Sequence, residues 1–168
     1  ANKYFFYIRP RRFGKSLTLS MLENYYDVNK KDAFEDIFGK LYIGQNPTPE
    51  RNQYLVLHLN FAQIVGGLDD YQQGMDNYCS IRFNLFVDLY SHLLPEGTKE
   101  GLNQQKDAVS QLSYLDGQCQ KTNQKIYLFI DEYDHFTNQI LANQAHEGNY
   151  RQQTHGEGYL RKFFDTIK

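Results

Sequence analysis

Two stretches of the sequence combine residue types that together could hold and cleave a phosphate chain. Residues 9–16 read RPRRFGKS. Gly14, Lys15 and Ser16 close the pattern G-x-x-x-x-G-K-[ST], which works where a strand passes through a tight loop into a helix. Gly14 lets the backbone approach phosphates with no side chain in the way. The N–H groups at the helix start attract anions, helped by the helix dipole. Lys15 would neutralise the β- and γ-phosphates, and the Ser16 hydroxyl would ligate magnesium. Arg9 stands where the pattern carries its first glycine. Phe13 and Leu17 flank the glycine-lysine-serine step and are candidate nucleotide contacts. So are Arg11 and Arg12, which could reach the phosphates or pair with nearby acids.

The second stretch, residues 126–134, reads IYLFIDEYD. It places carboxylates at the carboxyl end of an apolar strand, where ligands of open α/β sheets gather. From there Asp131 could hold magnesium directly or through water, and Glu132 could orient and deprotonate an attacking water as general base. Asp134 and His135 extend the acidic run and could sense a γ-phosphate, although a plain loop role suits both. His58, His92, His146 and His155 have no metal-ligand spacing to another His or Cys. Residues 29–32, NKKD, imitate a guanine-reading signature but follow the first helix rather than a late strand, so they read as a capped loop.

The elements around these stretches follow from periodicity. Residues 3–8, KYFFYI, are aromatic and β-branched without polar alternation, which predicts a strand buried on both faces. From Lys15 the spacing turns helical, with Leu17, Met21 and Tyr25 in one row and Leu22 and Tyr26 in another. A short helix is expected over residues 32–38 and a second strand over 54–61. Asp69 or Asp70 would cap a long helix whose stripe runs Tyr71, Met75, Tyr78, Leu85, Leu89 and Leu93, up to Pro95. A Gln-rich helix is expected over residues 101–120, with Val109, Leu112 and Leu115 on one side. The third buried strand is 126–130, then a short helix 135–145, an exposed loop 148–158 and a helix 159–168. Strands separated by helices give an α/β domain with a largely parallel sheet.

Composition narrows the class. The chain of 168 residues carries a net charge of −2, so no global basic field recruits nucleic acid. Lys3, Arg9, Arg11, Arg12 and Lys15 nevertheless cluster in the first 16 residues without an acid, which suits a compact anion. Two cysteines give neither a disulfide framework nor a zinc site and fit a reducing, cytoplasmic setting. No run of 18 apolar residues spans a membrane. The chain opens inside an aromatic run without a leader, as a fragment would.

The RPRRFGKSL run at 9–17 and IDEYD at 130–134 together resemble the predicted AAA-ATPase family of bacteria, over residues 3–168. The arginine at the first-glycine position is usual there. The resemblance implies a P-loop NTPase fold, a three-layer α-β-α domain with a mainly parallel sheet, that binds and hydrolyses ATP with Mg2+. It implies phosphate and magnesium contacts for Lys15 and Ser16, magnesium for Asp131 and water for Glu132. It also implies a C-terminal nuclease-like domain, a sensor strand and a sheet strand between the two site strands, all lying beyond Lys168. Residues 1–168 would then form one incomplete nucleotide-binding domain, unstable or aggregation-prone alone. A homo-oligomer fits this class, as does contact with nucleic acid through further domains. Two other readings stay open: a nucleotide switch with little turnover, ordering residues 148–158 or Asp134, and a module using Arg9, Arg11 and Arg12 on DNA or RNA.

Overall fold

The computed structural model describes residues 4–5, 7–8, 14–65, 71–133 and 150–167, and it is a mixed α/β structure. The chain divides into two compact units, Ala1–Tyr54 and Leu55–Lys168.

In the first unit, helix α1 (Lys15–Tyr26) is followed by a 3-10 turn at Val28–Lys30 and by two short helices, α2 (Phe34–Phe38) and α3 (Tyr42–Gln45). Its core is aromatic. Tyr25, Phe34 and Phe38 are buried together, with Tyr26 and Ile43 against them, and the Arg51 guanidinium lies 4.4 Å from the Phe34 ring centre. That core reaches only the last turn of α1. Tyr25 is therefore buried, whereas Leu17 and Met21 of the same four-residue row are exposed. The NKKD stretch is a capped turn, with Asp27 Oδ1 accepting the Asn29 N–H at 2.8 Å.

The strand expected over residues 3–8 is corrected in its described part. Tyr4, Phe5, Tyr7 and Ile8 carry no strand pairing, and Phe5 and Ile8 are 78% and 75% exposed. Apolar composition alone does not make a strand, which needs a second strand beside it. Lys3 and Phe6 lie outside the described residues.

The second unit contains β1 (Leu55–Asn60), a 3-10 turn at Phe61–Gln63, α4 (Tyr71–Leu89), α5 (Thr98–Asn103), α6 (Ala108–Lys121), β2 (Ile126–Asp131) and α7 (Tyr150–Ile167). The strands pair in parallel, from Leu55 opposite Ile126 to Asn60 opposite Asp131. Helices α4 to α6 form the long crossover that parallel strands require. α4 packs on β1, α6 packs on α4, and α7 packs on α6. The Asp76 carboxylate of α4 ties three helices together. It accepts the Ala108 N–H of α6 at 2.7 Å and the Tyr159 hydroxyl of α7.

The two edges of this sheet differ. In a parallel ladder, backbone groups of alternate residues point to opposite edges. Leu55 donates to Lys125, so Val56, His58 and Asn60 point away from β2. Side chains of α4 and of Tyr90, the residue after it, meet them there. The Tyr90 hydroxyl accepts the Val56 N–H at 2.9 Å, Arg82 donates Nε and Nη2 to the His58 carbonyl at 3.2 and 3.0 Å, and the Tyr78 hydroxyl accepts the Asn60 N–H at 2.7 Å. Side chains thus blunt the β1 edge. No described strand pairs with the far edge of β2, whose residues are mostly half-buried; only Phe129 and Asp131 are buried.

Three more expectations shift. On α4, Tyr71, Met75 and Tyr78 are buried as expected, but Leu85 and Leu89 lie exposed with Ile81, and the buried row continues through Cys79, Phe83, Phe86 and Val87. Gly74 sits in that row where a Cβ would collide with the Val65 carbonyl. The Gln-rich helix is two helices: α5 ends at Asn103, and α6 begins anew after its N-cap Asp107. Residues 150–158, expected as a loop, are the start of α7. The helix expected over 135–145 lies outside the described residues.

Candidate functional site

The stretch expected to form a phosphate loop falls in the first unit. Gly14 is the N-cap of α1 with φ 75° and ψ 19°, a left-handed conformation in which only glycine is at ease. A Cβ added there would meet nothing within 4 Å, so the demand for glycine comes from the backbone and not from crowding. No side chain caps the helix. The first N–H groups of a helix have no partner within the helix itself, and a helix start of this kind suits an anion. Lys15 and Ser16 are the first two helical residues, Lys15 half-buried and Ser16 exposed.

A polar chain fixes that start. The Gly14 carbonyl accepts both the Thr18 N–H at 2.9 Å and the Thr18 hydroxyl at 3.0 Å, and the Thr18 hydroxyl lies 3.2 Å from that of Tyr7. Sequence reasoning did not single out Thr18. A hydroxyl four residues beyond the glycine, one helical turn on, is the signal that was available. Leu17 is exposed, so it stands as a surface residue beside the loop. Arg9, Arg11, Arg12 and Phe13 lie outside the described residues.

The acidic strand end belongs to the second unit. Asp131 is the last residue of β2 and is 8% exposed. Its Oδ1 accepts the N–H of Glu132 at 2.9 Å. Glu132 is half-buried and has φ 53°. This bond links the two expected site residues, neighbours in sequence, at the end of β2. Asn60 ends β1 directly opposite Asp131. It was missed from sequence, where a single polar residue closing the run LVLHLN was its only mark. Asp134 and His135 lie outside the described residues.

Other groups with chemical potential have structural roles. Cys79 and Cys119 are buried and unbridged. Burial, with Asp76 and Asp116 adding to it, pushes their thiols up to about 12, which keeps them protonated and unreactive. His58 lies edge-on to Phe129, with ring centres 6.1 Å apart. Among the described residues no group of three or more His, Cys, Asp or Glu could hold a metal ion, and no helix is long and apolar enough to cross a membrane. Magnesium bound with a nucleotide takes only one or two oxygen ligands from the protein. The Ser16 hydroxyl and the Asp131 carboxylate are hard oxygen donors of the required type.

A family model described as Predicted AAA-ATPase matches residues 1–168. No curated protein and no solved structure matches the chain.

Proposed function

The chain belongs to the predicted AAA-ATPase family, and from that premise we propose that it binds ATP with magnesium and hydrolyses it. The observation that carries this reading is the start of α1: a left-handed Gly14, no side-chain cap, then Lys15 and Ser16. That is the local structure by which a backbone cradles phosphates. The parallel pairing of β1 with β2, with Asp131 at a carboxyl end, supports a three-layer P-loop NTPase fold.

Roles follow from chemistry. The Lys15 ammonium binds and neutralises phosphate oxygens, and Gly14 and the first helical amides orient them. Ser16 and Asp131 would hold magnesium, which supplies charge neutralisation when bound. Glu132 takes a proton from the water that attacks the γ-phosphorus as the β–γ bridging oxygen leaves. Arg11, Arg12, Phe13 and Leu17 remain proposed nucleotide contacts.

Calorimetric titration of Mg·ATP into the wild type and Lys15→Ala tests the binding half. Heat of binding in the wild type and none in Lys15→Ala is the expected result. Phosphate release tests the other half: Glu132→Gln should keep binding and lose roughly 10²- to 10⁴-fold in turnover. Equal binding by the wild type and a folded Lys15→Ala would overturn the phosphate-loop assignment.

A further inference from the structure

Tyr7 and Thr18 stand on either side of the RPRRFGKS stretch, and neither belongs to it. Both are half-buried, and their hydroxyl oxygens lie 3.2 Å apart. The direction of this bond follows from counting protons. A threonine hydroxyl has one proton to give and lone pairs to receive. That proton goes to the Gly14 carbonyl, 3.0 Å away, which can only accept. Tyr7 is therefore the donor, and the order runs from the Tyr7 O–H to the Thr18 O–H to the Gly14 C=O. What the Tyr7–Thr18 contact restrains is a distance. It ties the chain ahead of the stretch to the first turn of α1, which the Thr18 N–H bond to the same carbonyl begins. A chain whose two ends are held has fewer arrangements to give up when it closes on a ligand.

We propose that Tyr7 and Thr18 are positioning residues for the nucleotide, their hydroxyl pair clasping the chain ahead of residues 9–16 to the helix that follows and so setting the distance between the two ends of the triphosphate-binding stretch. The ligand in this proposal rests on the ATP reading, whereas the clasp itself can be measured without nucleotide. Tyr7→Phe removes the clasp and leaves the Thr18 bond to Gly14. Thr18→Val removes both bonds at nearly constant shape, and Thr18→Ser keeps both.

The test is calorimetric titration of Mg·ATP into the wild type, the three variants and the Tyr7→Phe/Thr18→Val double variant. At 3.2 Å the contact is long for two hydroxyls, so its loss should weaken affinity by about 2- to 5-fold in Tyr7→Phe, as the binding-ready arrangement becomes less populated. Thr18→Ser should match the wild type. The double variant should bind no more weakly than Thr18→Val alone, because one contact can be lost only once. A contact that merely stabilises the fold would lower the melting midpoint and leave affinity unchanged. Wild-type affinity in a folded Tyr7→Phe would therefore overturn the proposal, and so would losses that add in the double variant. Should Thr18→Val not fold, Tyr7→Phe against the wild type decides. A wild type that binds no Mg·ATP refutes the ATP reading itself. The clasp is then read from the same set of variants by equilibrium unfolding: a double variant as stable as Thr18→Val upholds it, and additive losses overturn it.

Discussion

Replacing Tyr90 by phenylalanine removes one oxygen and keeps the ring, which isolates the value of the covered β1 edge. The Tyr90 hydroxyl accepts the Val56 N–H at 2.9 Å, and the two residues are 0% and 7% exposed. Without that oxygen the N–H stays buried and unpaired. Arg82 and Tyr78 cannot take its place, since they serve His58 and Asn60 along the same edge. An unsatisfied buried donor costs about 1–3 kcal/mol. In a chain of 168 residues each kcal/mol moves the melting midpoint by roughly 2–4 °C. Tyr90→Phe should therefore melt roughly 2–12 °C below the wild type. Tyr114→Phe is the control. Tyr114 is half-buried and its hydroxyl has no hydrogen-bond partner among the described residues, so its loss should cost under about 0.5 kcal/mol. Calorimetric melts of the three proteins decide. Equal midpoints for Tyr90→Phe and Tyr114→Phe would mean that water reaches the Val56 amide, and the account of the edge would fail.

Two further perturbations probe the start of α1 and a helix cap. Gly14→Ala meets no atom within 4 Å of the new Cβ, so its cost is the left-handed backbone alone, about 1–2 kcal/mol; unchanged melting together with unchanged Mg·ATP affinity would show that the loop does not need this conformation. Asp107 caps α6 through a 2.7 Å bond from the Ser110 N–H. Burial pushes its carboxyl up, but the Ser110 hydrogen bonds and the Lys106 and Lys162 charges outweigh that and hold it below the ordinary carboxylate value. A lowered native pKa stabilises fully above the unfolded value, and that contribution fades as pH falls through the native one. The wild type's melting advantage over Asp107→Asn, which keeps a cap oxygen, should thus shrink on acidification below about pH 4. An advantage constant from neutral to acid would refute the assignment.

How far the sequence could be read depended on the range of the interaction. The loop–helix step at Gly14 and Lys15, the places of β1 and β2, and the acidic strand end were all legible, because local patterning and turn chemistry set them. The stripe on α4 was half legible. Tyr71, Met75, Tyr78, Leu85 and Leu89 lie on one side of an ideal helix of 3.6 residues per turn, yet only the first three are buried, while Leu85 and Leu89 are exposed with Ile81. The buried side turns along α4 to Cys79, Phe83, Phe86 and Val87, and periodicity does not report which side its neighbours cover. The hydroxyls of Tyr78 and Tyr90 were not legible at all. As letters they are apolar bulk, and their use as edge caps depends on backbone 18 and 34 residues away. The left-handed turn at Glu132 was hidden for a similar reason, since no propensity of glutamate foretells it.

The same alternation explains why β2 looks more deeply buried in sequence than it is. β1 directs the groups of Leu55, Leu57 and Leu59 to its neighbour and those of Val56, His58 and Asn60 to α4, so both edges are satisfied and Leu55 and Leu59 are fully buried. β2 directs alternate groups to β1, which turns those of Ile126, Leu128 and Ile130 to the edge where no described strand pairs. Its apolar run is as pronounced as that of β1, yet Ile126, Tyr127, Leu128 and Ile130 stay half-buried. Apolar letters report that a strand tolerates cover on both faces; they do not report that the cover is there. β1 has the cover of α4 packed on it, and its side chains are correspondingly the more deeply buried.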